Sequence, residues 1–238
     1  MLTQTAAVRS EAFRVVPPGP RMPPMSRSVF GSSCEASSLD ETMRLVGAAM
    51  SYPRNTEIFS EDEPADFVYK VVRGGVRTYK ILSDGRRQIG GFYLPGDIFG
   101  LQFGDEYTLS AEAITDTKVL VVKRSAFNAL AAGNRSIAQE IFALTGRELH
   151  AMQKRVLLLV KSAQERVASF LLEMAERTPA SNAIDLPMSR QDIADYLGLT
   201  IETVSRTLTS LETAAAIELP TSRRVVLRNR AALCRMNG

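Results

Sequence analysis

The 238-residue sequence predicts an α+β fold: a roll of short β-strands, then a long helix, then a small helical domain that ends in a β-hairpin. Between about residues 52 and 120, short β-branched and aromatic runs alternate with Gly- and Pro-containing turns. Between residues 134 and 161 apolar residues recur at alternating steps of three and four. Two adjacent helix-start patterns follow between residues 189 and 206. Strands and helices in separate stretches are typical of the α+β class.

Composition excludes several classes of protein. Apolar residues make up 45% and charged residues 23%, as in an ordinary globular protein, and the net charge is +3. The longest apolar run, Val156–Val160, has five residues, whereas a membrane span needs about 20. Two cysteines, Cys34 and Cys234, exclude a disulfide framework and a Cys-rich metal site. No secretory signal is visible, so we expect a cytoplasmic protein with no metal site and no membrane partner.

Residues 1–38 are predicted to form a flexible N-terminal tail, because prolines crowd residues 17–24 and serines follow them. A short helix is predicted from Leu39 to Met50, with Met43, Val46 and Met50 packed on one side.

Residues 39–133 are predicted to form the β-roll. Asp84-Gly85 lies between two apolar runs, which is a strong signal for a hairpin. Regularly spaced short strands indicate a compact barrel or roll. The predicted strands are Val68–Val72, Val76–Leu82, Ile89–Leu94 and Val119–Val122.

Residues 134–161 are predicted to form a dimerisation helix. A seam with alternating steps of three and four is what a two-helix coiled coil needs, so we expect a homodimer. The alternative is a helix that buries the same seam against its own β-domain. The seam residues are Phe142, Thr145, Leu149, Met152, Val156, Leu159 and Ala163, and the predicted dimer interface is Phe142, Leu149, Met152, Val156 and Leu159.

A second domain, residues 162–238, is predicted to begin at a capping box formed by Ser162 and Glu165, with a helix that runs to about Arg177. Within it, Ser189 and Asp192 form the N-cap pair of a further short helix. Gly198 can adopt the positive φ of a sharp helix end.

Thr200 is predicted to cap the next helix, whose inner row is Val204, Leu208 and Leu211. Ala194, Gly198 and Val204 occupy relative positions 5, 9 and 15 of this stretch, as a helix-turn-helix requires. The alternative is two packed helices that do not bind DNA.

In a helix-turn-helix the second helix enters the major groove with its N-terminal residues at the base edges. The predicted base contacts are Ile201, Glu202, Ser205 and Arg206. Arg206 would donate to guanine and Glu202 would accept from cytosine. The alternative is an ordinary surface ion pair between these two side chains, which are four residues apart.

Residues 217–228 are predicted to form a hairpin wing with Arg223 and Arg224 near its tip. These two arginines either contact DNA phosphates or lie in a solvated turn, and the sequence allows both alternatives. Residues 162–238 hold nine basic and nine acidic residues, so affinity must come from where charges lie. The predicted phosphate contacts are Ser189, Arg190, Gln191, Thr200, Thr203, Arg223 and Arg224.

Over about residues 50–230 the sequence resembles the CRP/FNR superfamily of bacterial transcription regulators, and most of all its FixK branch. The segment from Asp84 to Gly100 is similar to the FixK version of the β-roll, and Glu202, Ser205 and Arg206 match the branch's Glu-x-x-Ser-Arg pattern. The resemblance implies a cyclic-nucleotide-binding-like β-roll, a homodimer on TTGAT-type palindromes in double-stranded DNA, and contact with RNA polymerase. One polymerase-contact surface would lie at residues 178–185.

Departures from the family pattern indicate whether the protein binds a cofactor or a small-molecule effector. Cys34 stands alone where iron–sulfur members have a run of cysteines, and residues 104–110 carry Asp105 and Glu106 but no arginine for a cyclic-nucleotide phosphate. The single histidine, His150, falls in the dimer helix, which disfavours a haem ligand. We therefore expect an activator with no cofactor and no bound effector.

The alternative is a ligand- or redox-gated regulator of the same fold. Cys234 lies near Arg230 and Arg235, which could stabilise the thiolate and make it oxidisable, but the sequence favours a buried or idle cysteine. An enzyme is disfavoured, because the sequence shows no nucleophile–base pair and no catalytic residue is predicted.

Overall fold

The computed structural model describes residues 38–158, 160–177 and 182–237. Residues 1–37 of the predicted tail, with Cys34, lie outside the described residues, as do Leu159 of the predicted dimer interface and residues 178–181 of the predicted polymerase-contact loop.

The N-terminal helix is shorter than predicted. Helix α1 spans Leu39–Val46, and Ser38 caps it by accepting from the Glu41 amide at 3.3 Å. Residues Ala48–Tyr52 then form strand β1, whose partners are residues 117–121. The predicted helix from Leu39 to Met50 is therefore wrong in its second half, because a ladder with a segment about 70 residues away along the chain overrides local periodicity. Met43 is buried as expected, whereas Val46 is partly exposed and Met50 lies in the strand.

The β-roll contains seven strands after β1: β2 Glu57–Phe59, β3 Phe67–Arg73, β4 Val76–Ile81, β5 Arg87–Tyr93, β6 Ile98–Phe99, β7 Ser110–Ala113 and β8 Thr117–Lys123. Together with β1 they form two four-stranded antiparallel sheets, in the orders β1-β8-β3-β6 and β2-β7-β4-β5. The four predicted runs are confirmed as β3, β4, β5 and β8, and the predicted hairpin joins β4 to β5. The other strands of the roll were not predicted.

Aromatic rings fill the space between the two sheets. The Phe59 and Tyr107 rings stack at 3.7 Å between centroids, and Tyr69 and Phe99 stack at 5.1 Å. The Tyr107 hydroxyl donates to the carbonyl oxygen of Phe67 at 2.7 Å. Burial raises the pKa of both Tyr69 and Tyr107, so both phenols stay neutral and serve as packing groups.

Two helices follow the roll, α2 (Arg124–Gly133) and α3 (Arg135–Leu158). Phe127 of α2 and Ile137 of α3 share a buried cluster with Met43 and Val68, so the start of α3 is fixed to the roll. Further along α3 the apolar seam is exposed, with Phe142 82% and Val156 65% accessible. The alternative in which α3 buries this seam against its own domain is therefore wrong. Within the described residues, no helix is long and apolar enough to cross a membrane.

The C-terminal part begins at the predicted capping box. The Glu165 carboxylate accepts from the Ser162 amide at 2.7 Å, and the Ser162 hydroxyl accepts from the Glu165 amide at 3.3 Å. Its three strands form a small sheet in the order β10-β11-β9. The elements are α4 Ala163–Arg177, β9 Ala183–Asp185, α5 Arg190–Leu197, α6 Ile201–Thr213, β10 Ile217–Thr221, β11 Arg224–Leu227 and α7 Arg230–Asn237.

One hydrophobic core crosses from the roll into the C-terminal part. Ile89, Phe92 and Ile114 of the roll belong to the same buried cluster as the inner faces of α4, α5 and α6. The C-terminal part is thus packed against the roll as well as joined to it along the chain.

Two glycines with similar positive φ differ in their surroundings, which gives a matched pair of substitutions. A Cβ on Gly74 (φ 89°) would lie 2.7 Å from the Asp116 carbonyl oxygen, whereas a Cβ on Gly85 (φ 82°) meets nothing within 4 Å. We expect Gly85→Ala to lower the free energy of unfolding by about 1 kcal/mol and Gly74→Ala by about 3 kcal/mol. Urea denaturation followed by circular dichroism measures both. Equal losses would show that the close approach at Gly74 does not constrain the fold.

Candidate nucleic-acid interface

Helix α5 begins and ends as the sequence predicts. The Ser189 hydroxyl accepts from the Asp192 amide at 3.1 Å, and the Asp192 carboxylate accepts from the Ser189 amide at 2.9 Å, which completes the predicted capping box. Gly198 ends the helix in the left-handed conformation with φ 63°, and its amide donates to the Ala194 carbonyl. The chain therefore turns within three residues into the next helix.

Helix α6 is held by its inner row. Thr200 caps it by accepting from the Thr203 amide at 3.2 Å. Val204, Leu208 and Leu211 are buried, as predicted, and pack in one cluster with Ile193 and Ala194 of α5. Ala194 is fully buried, and its small side chain lets the two helices approach closely. The geometry is that of a helix-turn-helix.

The opposite face of α6 is open. Ile201, Glu202 and Arg206 are exposed and Ser205 is partly exposed, all within the first two turns. The backbone amide of Glu202 and the Thr200 hydroxyl hold the pKa of the Glu202 carboxyl below its usual value, and the charge of Arg206 lowers it further. Glu202 is therefore an ionised acceptor at neutral pH, close to a permanent cation.

A shallow polar hollow lies beside Arg206. Its lining includes Gln164 of α4 and, from α6, Thr203, Thr207 and Ser210. Gln164, Thr207 and Ser210 were not predicted as site residues. The spacing of 203, 206, 207 and 210 along α6 was the available signal, because residues three and four apart share a helix face.

The wing carries its basic residues at the tip, with Arg223 in the turn after β10 and Arg224 at the start of β11. Arg223 is exposed and donates weakly to the Pro187 carbonyl at 3.4 Å, and Arg224 is exposed with Nε 3.9 Å from the Asp185 carboxylate. Both guanidinium groups lie at the surface, and each has further N–H donors that could bind a phosphate.

The other residues predicted to contact phosphates lie at the starts of α5 and α6. Thr200, Thr203 and Arg190 lie at or near the surface. Gln191 is exposed and donates to the Asp195 carboxylate at 2.6 Å. The Ser189 hydroxyl is already engaged, because it donates to Asp192 at 2.7 Å.

Asp192 also joins this site to the roll, which the sequence did not reveal. Its Oδ1 accepts from Arg77 of β4 at 2.8 Å and from Arg87 of β5 at 2.7 Å. Arg77 also donates to Glu112 at 2.9 Å, and Arg87 donates through Nε to Asp195 at 2.9 Å. Asp192 is 3% exposed and Arg77 8% exposed. The partners are more than 100 residues apart along the chain, so no local pattern links them.

The residues considered for signal sensing are exposed. Asp105 and Glu106 are exposed in the loop before β7, His150 is exposed on α3, and Cys234 is exposed on α7. In the part of the chain that the structure describes, no three His, Cys, Asp or Glu side chains group as a metal site would require.

Comparison with known proteins gives two family matches. A Crp-like helix-turn-helix domain matches residues 165–236, and a cyclic nucleotide-binding domain matches residues 49–134. The nitrogen fixation regulation protein FixK of Azorhizobium caulinodans is 45% identical over 100% of this chain and 97% of its own length. The transcriptional activator protein FnrL of Cereibacter sphaeroides is 32% identical, with 88% of each chain covered. The solved structure of FixK2 from Bradyrhizobium japonicum is 50% identical, with a TM-score of 0.78 over 81% of this chain and 98% of that chain.

The buried carboxylate of Asp192 gives a stability prediction. We expect Asp192→Asn, which preserves shape and the cap but removes the charge, to lower the free energy of unfolding by about 3 kcal/mol, because Arg77 and Arg87 lose a buried partner. Asp84→Asn is the control, since its carboxylate pairs with Arg86 in an exposed hairpin and its loss should barely change stability. Chemical denaturation of both variants measures the difference. Similar stabilities would show that the buried network contributes little.

Proposed function

Since this chain belongs to the CRP/FNR superfamily of transcription regulators, within its FixK branch, we propose that it is a homodimeric activator that binds TTGAT-type palindromes without a bound effector. The family matches and the relatives make it a transcription activator with a DNA-binding helix-turn-helix, not an enzyme. The palindrome, the dimer and the absence of an effector are the proposal.

The observation that carries the proposal is the exposed Glu202, Ser205 and Arg206 face at the start of α6. With α6 in the major groove, Arg206 donates two hydrogen bonds to guanine, and Glu202 accepts from the amino group of the paired cytosine. Ser205 lies near the outer thymine, and the apolar Ile201 suits contact with a thymine methyl group. Glu202 and Arg206 lie one turn apart on the same exposed face, so both can reach the same base pair.

Phosphate contacts flank these base contacts. Thr203 and Arg206 line the hollow on α6, Thr200 is exposed at the start of that helix, and the wing presents Arg223 and Arg224. Because the C-terminal part is neutral overall, these groups position the domain rather than provide a large nonspecific attraction. The proposed phosphate contacts are Arg190, Gln191, Thr200, Thr203, Arg223 and Arg224. Ser189, which the sequence also predicted, is left out because its hydroxyl and its amide both donate to Asp192.

The exposed seam of α3 supports the homodimer. Large apolar side chains on one helix face are unusual at the surface of a monomer, and their spacing fits a coiled coil with a second copy. Phe142, Leu149, Met152 and Val156 are all at least half exposed. A two-fold dimer presents two recognition helices, which is the symmetry of a palindrome.

The filled interior of the roll supports effector-free action. Phe59, Tyr69, Phe99 and Tyr107 occupy the space between the sheets, and an anion at the loop before β7 would meet Asp105 and Glu106. With no bound signal required, the amount of protein sets its activity. As an activator of transcription it would act in the cytoplasm with RNA polymerase as its protein partner.

The DNA proposal predicts binding and specificity together. Purified protein with no added ligand should bind a TTGAT palindrome more tightly than a GTGA palindrome or a scrambled duplex. Arg206→Ala should lose about 1–3 kcal/mol of discrimination for the G·C pair, whereas Arg223→Ala should weaken all three duplexes about equally. Fluorescence anisotropy at fixed salt measures each affinity.

Two results would contradict this proposal. Binding that appears only with a cofactor or a reductant would favour the gated regulator. Equal losses on cognate and scrambled DNA for Arg206→Ala would remove α6 as the reading helix.

The dimer proposal is tested on the seam itself. Leu149→Asp places a charge in the seam and should produce monomers by light scattering, with about a hundredfold weaker binding to the full palindrome because the two half-sites are no longer linked. Ala143→Asp is the matched control, since Ala143 is exposed on the other side of α3. A Leu149→Asp protein that remains dimeric would place the interface elsewhere.

A further inference from the structure

The contact between the roll and α5 contains charged hydrogen bonds in addition to apolar packing. The Arg87 guanidinium spans the carboxylates of Asp192 and Asp195, and Arg77 reaches Asp192 from the neighbouring strand. Gln88 adds a hydrogen bond from its amide nitrogen to the Asp195 carbonyl at 2.8 Å. Arginine holds a fixed planar set of donors, so these bonds define one orientation of α5 on the roll.

Aromatic packing surrounds the ionic contact. The Tyr196 ring of α5 lies 5.2 Å from Phe92 of the roll and 5.8 Å from Phe170 of α4. At the end of α4, Arg177 donates to the Phe92 carbonyl at 3.0 Å and pairs with Asp97. These contacts stabilise the packing of α5, the first helix of the helix-turn-helix, on β5.

This contact gives the helix-turn-helix a second attachment to the dimer helix. The first is at the junction itself, where α3 ends at Leu158 and α4 begins at Ala163, and where the Arg155 guanidinium of α3 lies 5.5 Å from the centre of the Tyr196 ring of α5. The second runs through the roll, because Phe127 and Ile137 fix the roll to the start of α3. A single cation–π contact leaves room for rotation about the junction. The charged hydrogen bonds from the roll have fixed geometry and restrict that rotation.

We propose that Arg77 and Arg87 are positioning residues for DNA recognition, which set the separation of the two recognition helices and so the half-site spacing that the dimer accepts. The inference rests on the proposed homodimer and palindrome. One base pair advances a site by about 3.4 Å, so a small rotation of α5 on the roll shifts α6 to another spacing. Neither arginine needs to touch DNA. Buried ion pairs are weak evidence for stability, and a role in fixing one arrangement explains this one better.

The test measures spacing preference rather than affinity alone. The ligands are palindromes of two TTGAT half-sites, at the separation the parent protein binds best and with two base pairs inserted or removed. Arg87→Ala should lower the ratio of affinities for the best and altered spacings about tenfold, within the range for coupling between linked sites. Arg86→Ala is the matched control, because Arg86 lies next along the same hairpin and pairs with Asp84. It should keep the parent ratio.

If Arg87→Ala only destabilised the protein, its affinity for all spacings would fall together and the ratio of affinities would stay unchanged. That result would overturn the inference. If Arg87→Ala does not fold, Asp195→Asn removes the partner charge while keeping the shape, and the same fall in the ratio is expected. Arg87→Lys should restore part of the preference. If the parent shows no preference for a palindrome over scrambled DNA, the proposed function fails. If the parent discriminates and Arg87→Ala discriminates equally, only the positioning role fails.

Discussion

The buried carboxylate of Asp192 is the constraint on which the C-terminal half of the structure depends. A charge that is 3% exposed has lost its hydration, so hydrogen bonds and opposite charges must replace it. One oxygen closes the capping box at the start of α5, and the other accepts from Arg77 and Arg87 of the roll. The same side chain therefore decides where the helix-turn-helix begins and where it lies on the roll. Moving α5 away from the roll would leave this buried charge without its two arginine partners.

The position of α5 determines which side of α6 is exposed for DNA binding. Gly198 turns the chain, Thr200 caps α6, and the buried Val204 determines which side of α6 faces outward. Glu202, two residues before Val204, and Arg206, two residues after it, then share the exposed face. Because residues 162–238 carry equal numbers of acidic and basic side chains, this placement matters more than net charge.

Predictions from sequence succeeded where the cause was local and failed where it was distant. The capping boxes at Ser162 and Ser189 and the turn at Gly198 need only residues within one helical turn, and all were found. Residues 48–50 were misassigned to a helix because the strand partner that defines them lies about 70 residues away. The two- and three-residue strands carry too little periodicity to detect. The arginine contacts with Asp192 join segments more than 100 residues apart, so no local pattern could reveal them.

These contacts also change how the roll is understood. The roll matches a family model named for cyclic-nucleotide binding, but stacked aromatic rings fill its interior here. Its strands β4 and β5 contact α5 through Arg77 and Arg87. Rings that fill the core make the roll stiff, and a stiff body transmits orientation better than one that must close around a ligand. The roll then serves as a rigid arm between the dimer helix and the reading helix. In the proposed dimer its interior would supply stiffness and its outer surface would supply direction, which is how the proposed DNA-binding arrangement would form without a bound signal.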